Sequence, residues 1–334
     1  MIPEHQKIQA IQSAISERKS LAEKTNTFRL FNGFYEGFPG LVIDRYGETL
    51  AIFDHNQSGE SKDVIHQFTA WALDALDGVN SIILKQRQSP DIKKVNGVLI
   101  KGNVLTTSIN EFDVAYALDL QLNQDASFYL DTRDLRRWLL KHSQGLKVLN
   151  TFAYTGSLGV AAGMGGASLV IQTDLNQSFL NLAKKSCALN NLDQQKCQHI
   201  AGDFFKVTDR MRHANRLFNC VILDPPFFST TDAGRVDLQQ DVTRLINKVR
   251  PLVAHEGWLV VINNALFVSG KSFMEELNTL CKSPYLSFAE IIPIPPDVTG
   301  YPNTIIEPPP VNPAPFNHPT KIAILKVFRK DERK

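Results

Sequence analysis

The stretch most pointed toward chemistry is CVILDPPFFST, from Cys220 to Thr230. An apolar run ends on Asp224, two prolines follow, and then two phenylalanines. A proline pair fixes the backbone and removes two N–H donors, leaving carbonyls free to accept. Asp224 and the Pro225 carbonyl can then both accept from a flat polar substrate across the rigid Pro225-Pro226 turn. Phe227 or Phe228 offers a face for stacking on it. That arrangement suits a heterocyclic base held edge-on; the plainer alternative is a stiff strand-to-helix turn packed on its rings.

Three other polar strand ends read as ligand contacts. Thr155-Gly156-Ser157 is a small-residue turn into a helix, where a ligand can approach the backbone. The turn lacks GxGxxG, so it is a poor dinucleotide loop, which counts against a nicotinamide oxidoreductase. Asp174, ending IQTDLN, can accept both hydroxyls of a ribose, or it can cap the next helix. Asp203, in IAGDFF, can accept from an adenine amino group with Phe204 against the ring, or it too can be a cap. Together these residues outline an adenosine site without a pyrophosphate cradle.

The elements that must carry these residues alternate. LKVLNTF, SLVIQTD, CQHIAGD, NCVILDP, WLVVIN, LSFAEII and KIAILKVF read as strands. SFLNLAKKSCALNN, QDVTRLINKVRPLV and KSFMEELNTLCK read as helices between them, and LDTRDLRRWLLKH as a helix with Asp131 or Thr132 at its N-cap. Such alternation predicts a parallel α/β sheet covered on both faces, with ligands at the carboxyl ends of its strands. Residues 1–26 read as an amphipathic helix through Ile8, Ile11 and Ile15. Residues 27–118 read as a small mixed α/β domain, and 119–334 as the larger domain.

Composition narrows the class. The 334 residues are 43% hydrophobic and 21% charged with a net charge of +2, an ordinary soluble globular balance that neither demands nor excludes nucleic acid. Cys187, Cys197, Cys220 and Cys281 form no CxxC pair and have no histidine at zinc spacing, so neither a metal nor a disulfide framework is expected. A polar start without signal-peptide character, and no run near the roughly 20 apolar residues of a membrane span, lead to a cytoplasmic expectation with no membrane partner. Oligomeric state is left open, a dimer included.

The same residues resemble a class I S-adenosylmethionine-dependent methyltransferase, with DPPF the most specific motif. EGFPGLVIDRYG, ASFYLDTRDLR, LNTFAYTGSLGVAA and LDPPFF, in that order, resemble the large-subunit (23S) ribosomal RNA methyltransferase family over roughly residues 27–330. The resemblance implies a Rossmann-like domain with a seven-stranded, mostly parallel sheet whose last strand is antiparallel, preceded by a small α/β domain. It implies S-adenosylmethionine as cofactor and ribosomal RNA as partner. Thr155 and Gly156 would lie by the methionine end, Asp174 by the ribose and Asp203 by the adenine. Phe128, Asp131 and Arg133, in FYLDTR, would line the cofactor mouth. Some relatives carry an N-terminal PUA RNA-binding domain. Here a single helix precedes the shared region, so RNA affinity is expected to come from elsewhere.

Cytosine-C5 members of that family place a cysteine after the fifth strand or beside the fourth, because methylating C5 needs a transient thiolate bond. Here the fifth strand ends VINNALF, with Asn263 and Asn264, and Cys220 lies inside the fourth. Methylation of a base nitrogen is therefore expected; the Asn263-Asn264 pair resembles relatives that methylate guanine nitrogen, which implies guanine as the favoured base, with either asparagine on its edge. Cytosine-C5 methylation, methylation of another base-like substrate, and a non-catalytic RNA-binding scaffold are the alternatives. Arg133, Arg136, Arg137, Arg235 and Arg244 are candidate RNA contacts. Residues 293–319 hold ten of the seventeen prolines and read as a stiff flap by the substrate site, or else as a surface strap.

Overall fold

Apolar runs of four to six residues, each followed by a polar turn, become the strands of two separate sheets. The computed structural model describes residues 4–57 and 59–330. The chain divides into two compact units, Met1–Asp131 with Pro295–Pro309, and Thr132–Ile294 with Pro310–Lys334.

In the first unit β1 (Thr27–Asn32), β2 (Leu41–Tyr46), β3 (Thr49–Asp54), β4 (Ser81–Gln86) and β5 (Val98–Lys101) form one sheet in that order. Only the β3–β4 pair is parallel, and helix Lys62–Ala75 makes its crossover. Helix Glu4–Glu17 buries Ile11 and Ile15 with Phe28, Leu30, Val64 and Phe68. A hairpin of β6 (Ser108–Glu111) and β7 (Val114–Ala117) turns on Phe112 and Asp113, at φ 53° and 61°. Two successive left-handed residues are what a two-residue hairpin loop requires.

This unit extends past residue 118, where the sequence reading placed its end. Lys85 Nζ donates to the Asn123 carbonyl at 2.9 Å, Arg87 pairs with Asp125 at 2.8 Å, and Gln121 donates to the Gly97 carbonyl at 2.8 Å. These bonds fix residues 119–131 to the small sheet. The proline-rich segment is likewise built in along its first half. Arg18 and Glu36, both fully buried, pair at 2.9 Å, and Arg18 also donates to the Asp297 carbonyl at 2.9 Å. The Asp297 carboxylate accepts from the Arg29 N–H at 2.9 Å, and Ile306 N–H donates to the Tyr35 carbonyl at 2.7 Å. With Asp297 and Val298 each only 1% exposed, residues 295–309 are structural parts of this unit rather than a flap.

In the second unit, which opens with helix Arg133–His142, β8 (Lys147–Thr151), β9 (Leu169–Asp174), β10 (Cys197–Ala201), β11 (Phe218–Leu223), β14 (Val253–Asn263), β15 (Leu286–Ile292) and β16 (Lys321–Val327) form a seven-stranded sheet ordered β10-β9-β8-β11-β14-β16-β15. A separate hairpin, β12 (Phe228–Thr231) and β13 (Gly234–Asp237), follows β11. Within the seven, β16 alone runs antiparallel to both neighbours, as expected of the last strand. Helices Ser157–Met164, Gln177–Leu189, Phe204–His213, Val242–Val249 and Gly270–Cys281 connect the strands. Val148, Leu149, Ile171, Val221, Ile222, Leu259 and Val260 are fully buried, the near-continuous apolar runs of a sheet covered on both faces. Pro251 stops the helix expected to continue through Arg250–Leu252, leaving a single 3-10 turn. No helix among the described residues is long and apolar enough to cross a membrane.

Candidate cofactor and base site

The sheet register sets the site. Ala201 pairs with Asp174, Thr151 with Thr173, and Leu223 with both Thr151 and Val261. The carboxyl ends of β10, β9, β8, β11 and β14 are thus level. Strand order reverses between β8 and β11, because successive connections run outward to either side of them. That switch point is where open α/β sheets bind ligands.

After β8 the backbone of Phe152-Ala153-Tyr154-Thr155-Gly156 takes positive φ at Phe152 (54°), Tyr154 (50°) and Gly156 (80°). Left-handed residues alternating with right-handed or extended ones can turn N–H groups toward one side and make a small anion-binding concavity. Gly156 is required here. A Cβ on it would lie 2.5 Å from Ala183 Cβ and 2.7 Å from Gln172 Oε1, besides the cost of its φ. Thr155 is buried.

Asp174, at the end of β9, accepts from the Tyr154 N–H at 2.8 Å and the Asn176 N–H at 2.9 Å. It therefore braces the β8 turn as well as its own. Burial raises its pKa, against the pull of these N–H donors. Capping the next helix falls instead to Asn176, which accepts from Ser178 N–H at 2.8 Å. Asp203 does cap its helix, accepting from Lys206 N–H at 3.0 Å, and also accepts from the Thr231 hydroxyl at 2.6 Å. A carboxylate has about four lone-pair sites, so two such bonds leave acceptor capacity. Phe204, expected against an adenine ring, is buried instead and stacks on Phe152 with centroids 4.5 Å apart.

At the end of β11 Asp224 is half-buried, Pro225 buried and Pro226 exposed. Phe227 and Phe228 are 47% and 54% exposed, high values for large rings beside a core. The Arg235 guanidinium lies 5.2 Å from the Phe228 centroid and pairs with Asp237. Following the neighbouring β14, Asn263 is buried and its Oδ1 accepts from Ala265 N–H at 2.9 Å, so it holds the turn. Asn264 carries a buried Oδ1 without a partner among the described residues. Burial lowers Lys321 to about 8, and its ammonium donates to the Ala265 carbonyl at 3.0 Å, bracing the same turn.

The fold thus collects Thr155, Gly156, Asp174, Asp203, Asp224 through Phe228, Asn263 and Asn264 on one edge of one sheet. Phe128 and Asp131 belong to the other unit, where Phe128 is buried against Tyr116 with centroids 5.0 Å apart. Arg133 and Arg136 are buried, and Arg136 donates to the Thr132 hydroxyl at 2.7 Å, which corrects both as surface RNA contacts. Thr132, not Asp131, is the N-cap of that helix. Arg137, Arg235 and Arg244 remain at least half exposed. The sequence reading missed the β12–β13 hairpin, whose signal was Asp232-Ala233-Gly234 after two threonines. It missed also Leu266 and Phe267, 52% and 71% exposed just beyond Asn264.

The donor set fits S-adenosylmethionine. Two acids on adjacent strands can take ribose and adenine, and a turn without a glycine-rich phosphate cradle suits a carboxylate-ended cofactor. Residues 50–305 match the model of the S-adenosylmethionine-dependent methyltransferase family. The chain belongs to that family. It is 31% identical over 236 residues to "Ribosomal RNA large subunit methyltransferase I" of Alteromonas mediterranea, covering 68% of this chain and 58% of that protein. The chain thus spans between half and three-fifths of the length of the curated relatives it matches. Among solved structures, a SAM-dependent methyltransferase from Streptococcus mutans superposes with a TM-score of 0.82 at 22% identity, over 98% of this chain and 82% of that one. A methyltransferase solved in complex with SAH gives a TM-score of 0.84 at 21% identity over the same shares.

Proposed function

We propose that the chain transfers a methyl group from S-adenosylmethionine to a base nitrogen of large-subunit ribosomal RNA, guanine favoured. One observation carries the choice of nitrogen. The corner Asp224-Pro225-Pro226-Phe227-Phe228 presents an acid and two exposed rings, while the one cysteine in the strand leading to it is unsuited to attack. Cys220 is fully buried and burial pushes its thiol up to about 12, so almost no thiolate exists at neutral pH. The RNA assignment rests on the curated relatives, whose names specify that substrate.

When bound, the cofactor supplies an electrophilic sulfonium methyl. The chain's own contribution is position and proton management. Asp224 accepts from the amino or imino edge of the base and orients the nitrogen lone pair along the line of attack, the kind of alignment that lowers a bimolecular barrier most. Where the nitrogen carries a proton, Asp224 is also the acceptor placed to receive it. Phe227 or Phe228 covers one face of the ring, and stacking adds roughly 1–3 kcal/mol per base. Asn264 Oδ1 offers a further acceptor to an exocyclic amine. Asp174, with Tyr154 N–H and Asn176 N–H already on it, is held rigid toward ribose hydroxyls.

Mass spectrometry of ribosomal RNA nucleosides from cells with and without the gene tests this reading. Loss of one methylated guanosine is expected. Loss of 5-methylcytidine would overturn the nitrogen assignment, and an unchanged profile the RNA assignment.

A further inference from the structure

Away from the sheet edge that carries the site, helix Gln177–Leu189 and strand β10 bring together three groups that the proposed reaction does not use. Cys187 Sγ and Cys197 Sγ lie 2.8 Å apart, His199 Nε2 is 3.9 Å from Cys187 Sγ, and the three ligand atoms all fall within 4.8 Å of one another. Cys197 and His199 are two apart on a strand, which puts both side chains on one face. The helix delivers Cys187 to that same face. Sequence spacing hid the group, because Cys187 comes from a different element.

We propose that Cys187, Cys197 and His199 bind a thiophilic metal ion, with zinc(II) as the occupant. Two thiolates and an imidazole are the ligands zinc prefers, at about 2.3 Å for sulfur and about 2.0–2.1 Å for nitrogen. A tetrahedral centre at those lengths sets its sulfurs about 3.8 Å apart, so the pair need open by only about 1 Å. Both cysteines are buried, which protects a structural site from exchange. His199 Nε2 is the ring nitrogen that faces the pair, 3.9 Å from Cys187 Sγ, and a neutral imidazole nitrogen is a common zinc ligand. The Gln172 carboxamide nitrogen lies 3.3 Å from His199 Nε2 and 3.8 Å from Cys197 Sγ, and its Oε1 accepts from Asn150 Nδ2 at 3.3 Å, so the fourth position is left to water or another exogenous ligand.

The location gives the site a consequence. Gln172 Oε1 lies 2.7 Å from where a Cβ on Gly156 would sit and 2.3 Å from one on Gly159, with Ala183 Cβ nearer still to the first at 2.5 Å. A metal held by Cys187, Cys197 and His199 would fix His199, against which the Gln172 carboxamide, under the turn that carries Thr155 and Gly156, rests at 3.3 Å.

The test uses the full chain, reduced and freed of metal by a chelator, titrated with Zn2+ against a colorimetric competitor and separately with Co2+. One Zn2+ per chain, a thiolate-to-Co2+ charge-transfer band and a higher Tm with Zn2+ are expected. Cys187→Ser and Cys197→Ser should each abolish the band, and His199→Ala should weaken binding at least ~10-fold, while Cys281→Ser leaves both unchanged. Reduced wild-type protein that folds by circular dichroism yet gives no band would overturn the proposal, without needing any variant. So would thiol counting that finds Cys187 and Cys197 joined as a disulfide in protein whose metal affinity ignores His199→Ala. Neither result would bear on methyl transfer, which is read separately.

Discussion

Asp224 and Asp174 carry opposite kinds of expectation. Replacing Asp224 by Ala should lower kcat by roughly 100-fold or more, the usual contribution of a positioned proton acceptor. Cofactor Kd, measured by calorimetry, should change little, because Asp224 follows a different strand from Asp174 and Asp203. For Asp174 the variable is pH. Burial raises its pKa, so protonation begins above the ordinary carboxylate range. A ribose hydroxyl needs the ionised form as acceptor. Cofactor affinity should therefore fall as pH drops through that raised value, and Asp174→Asn should bind weakly with a flat profile. The ligand-free fold should respond with the opposite sign. A carboxyl disfavoured when ionised contributes a penalty that is full above the raised pKa and absent below the unfolded one.

The turn after β8 and the hairpin after β11 govern the site at the scale of elements. Gly156→Ala places a Cβ 2.5 Å from Ala183 Cβ at a φ of 80°. We expect destabilisation of about 2–4 kcal/mol, read as a lower midpoint in urea, with weakened cofactor binding. Alternating strand and helix runs, and the polar residue closing each strand, were legible in the sequence because hydrophobic period and strand-end chemistry are local. The β12–β13 hairpin was not, since Phe228 to Thr231 has no buried face to impose alternation. Asp203 illustrates a second kind of limit. Its capping bond to Lys206 N–H is local and foreseeable, whereas the Thr231 hydroxyl comes from 28 residues away. Arg136 was misread because a helical charge count cannot tell which arginine points inward.

At the scale of the whole molecule, the buried Arg18–Glu36 pair is vulnerable to a single change. Arg18→Met would leave Glu36 charged and fully enclosed, with Asn32 N–H and the Thr304 hydroxyl as its remaining donors. Breaking one side of such a pair costs about 3–5 kcal/mol. Chemical denaturation followed at the first unit should show a loss of that size. Replacing both residues with apolar ones of similar volume should recover much of it. Methyl transfer at saturating cofactor, assayed on protein that remains folded, tests whether the catalytic unit is affected.

The first unit draws its last piece from Pro295–Pro309, after the whole stretch Thr132–Ile294 has been committed to the second. During synthesis, then, the first unit cannot finish before all of Thr132–Ile294 has been made. Arg18 and Glu36 wait for Asp297 and Thr304, which follow them by 279 and 268 residues, so a nascent chain arrested near residue 200 should leave its leading 131 residues sensitive to protease. Chaperones that shelter amino-terminal segments would have an unusually long window in which to act.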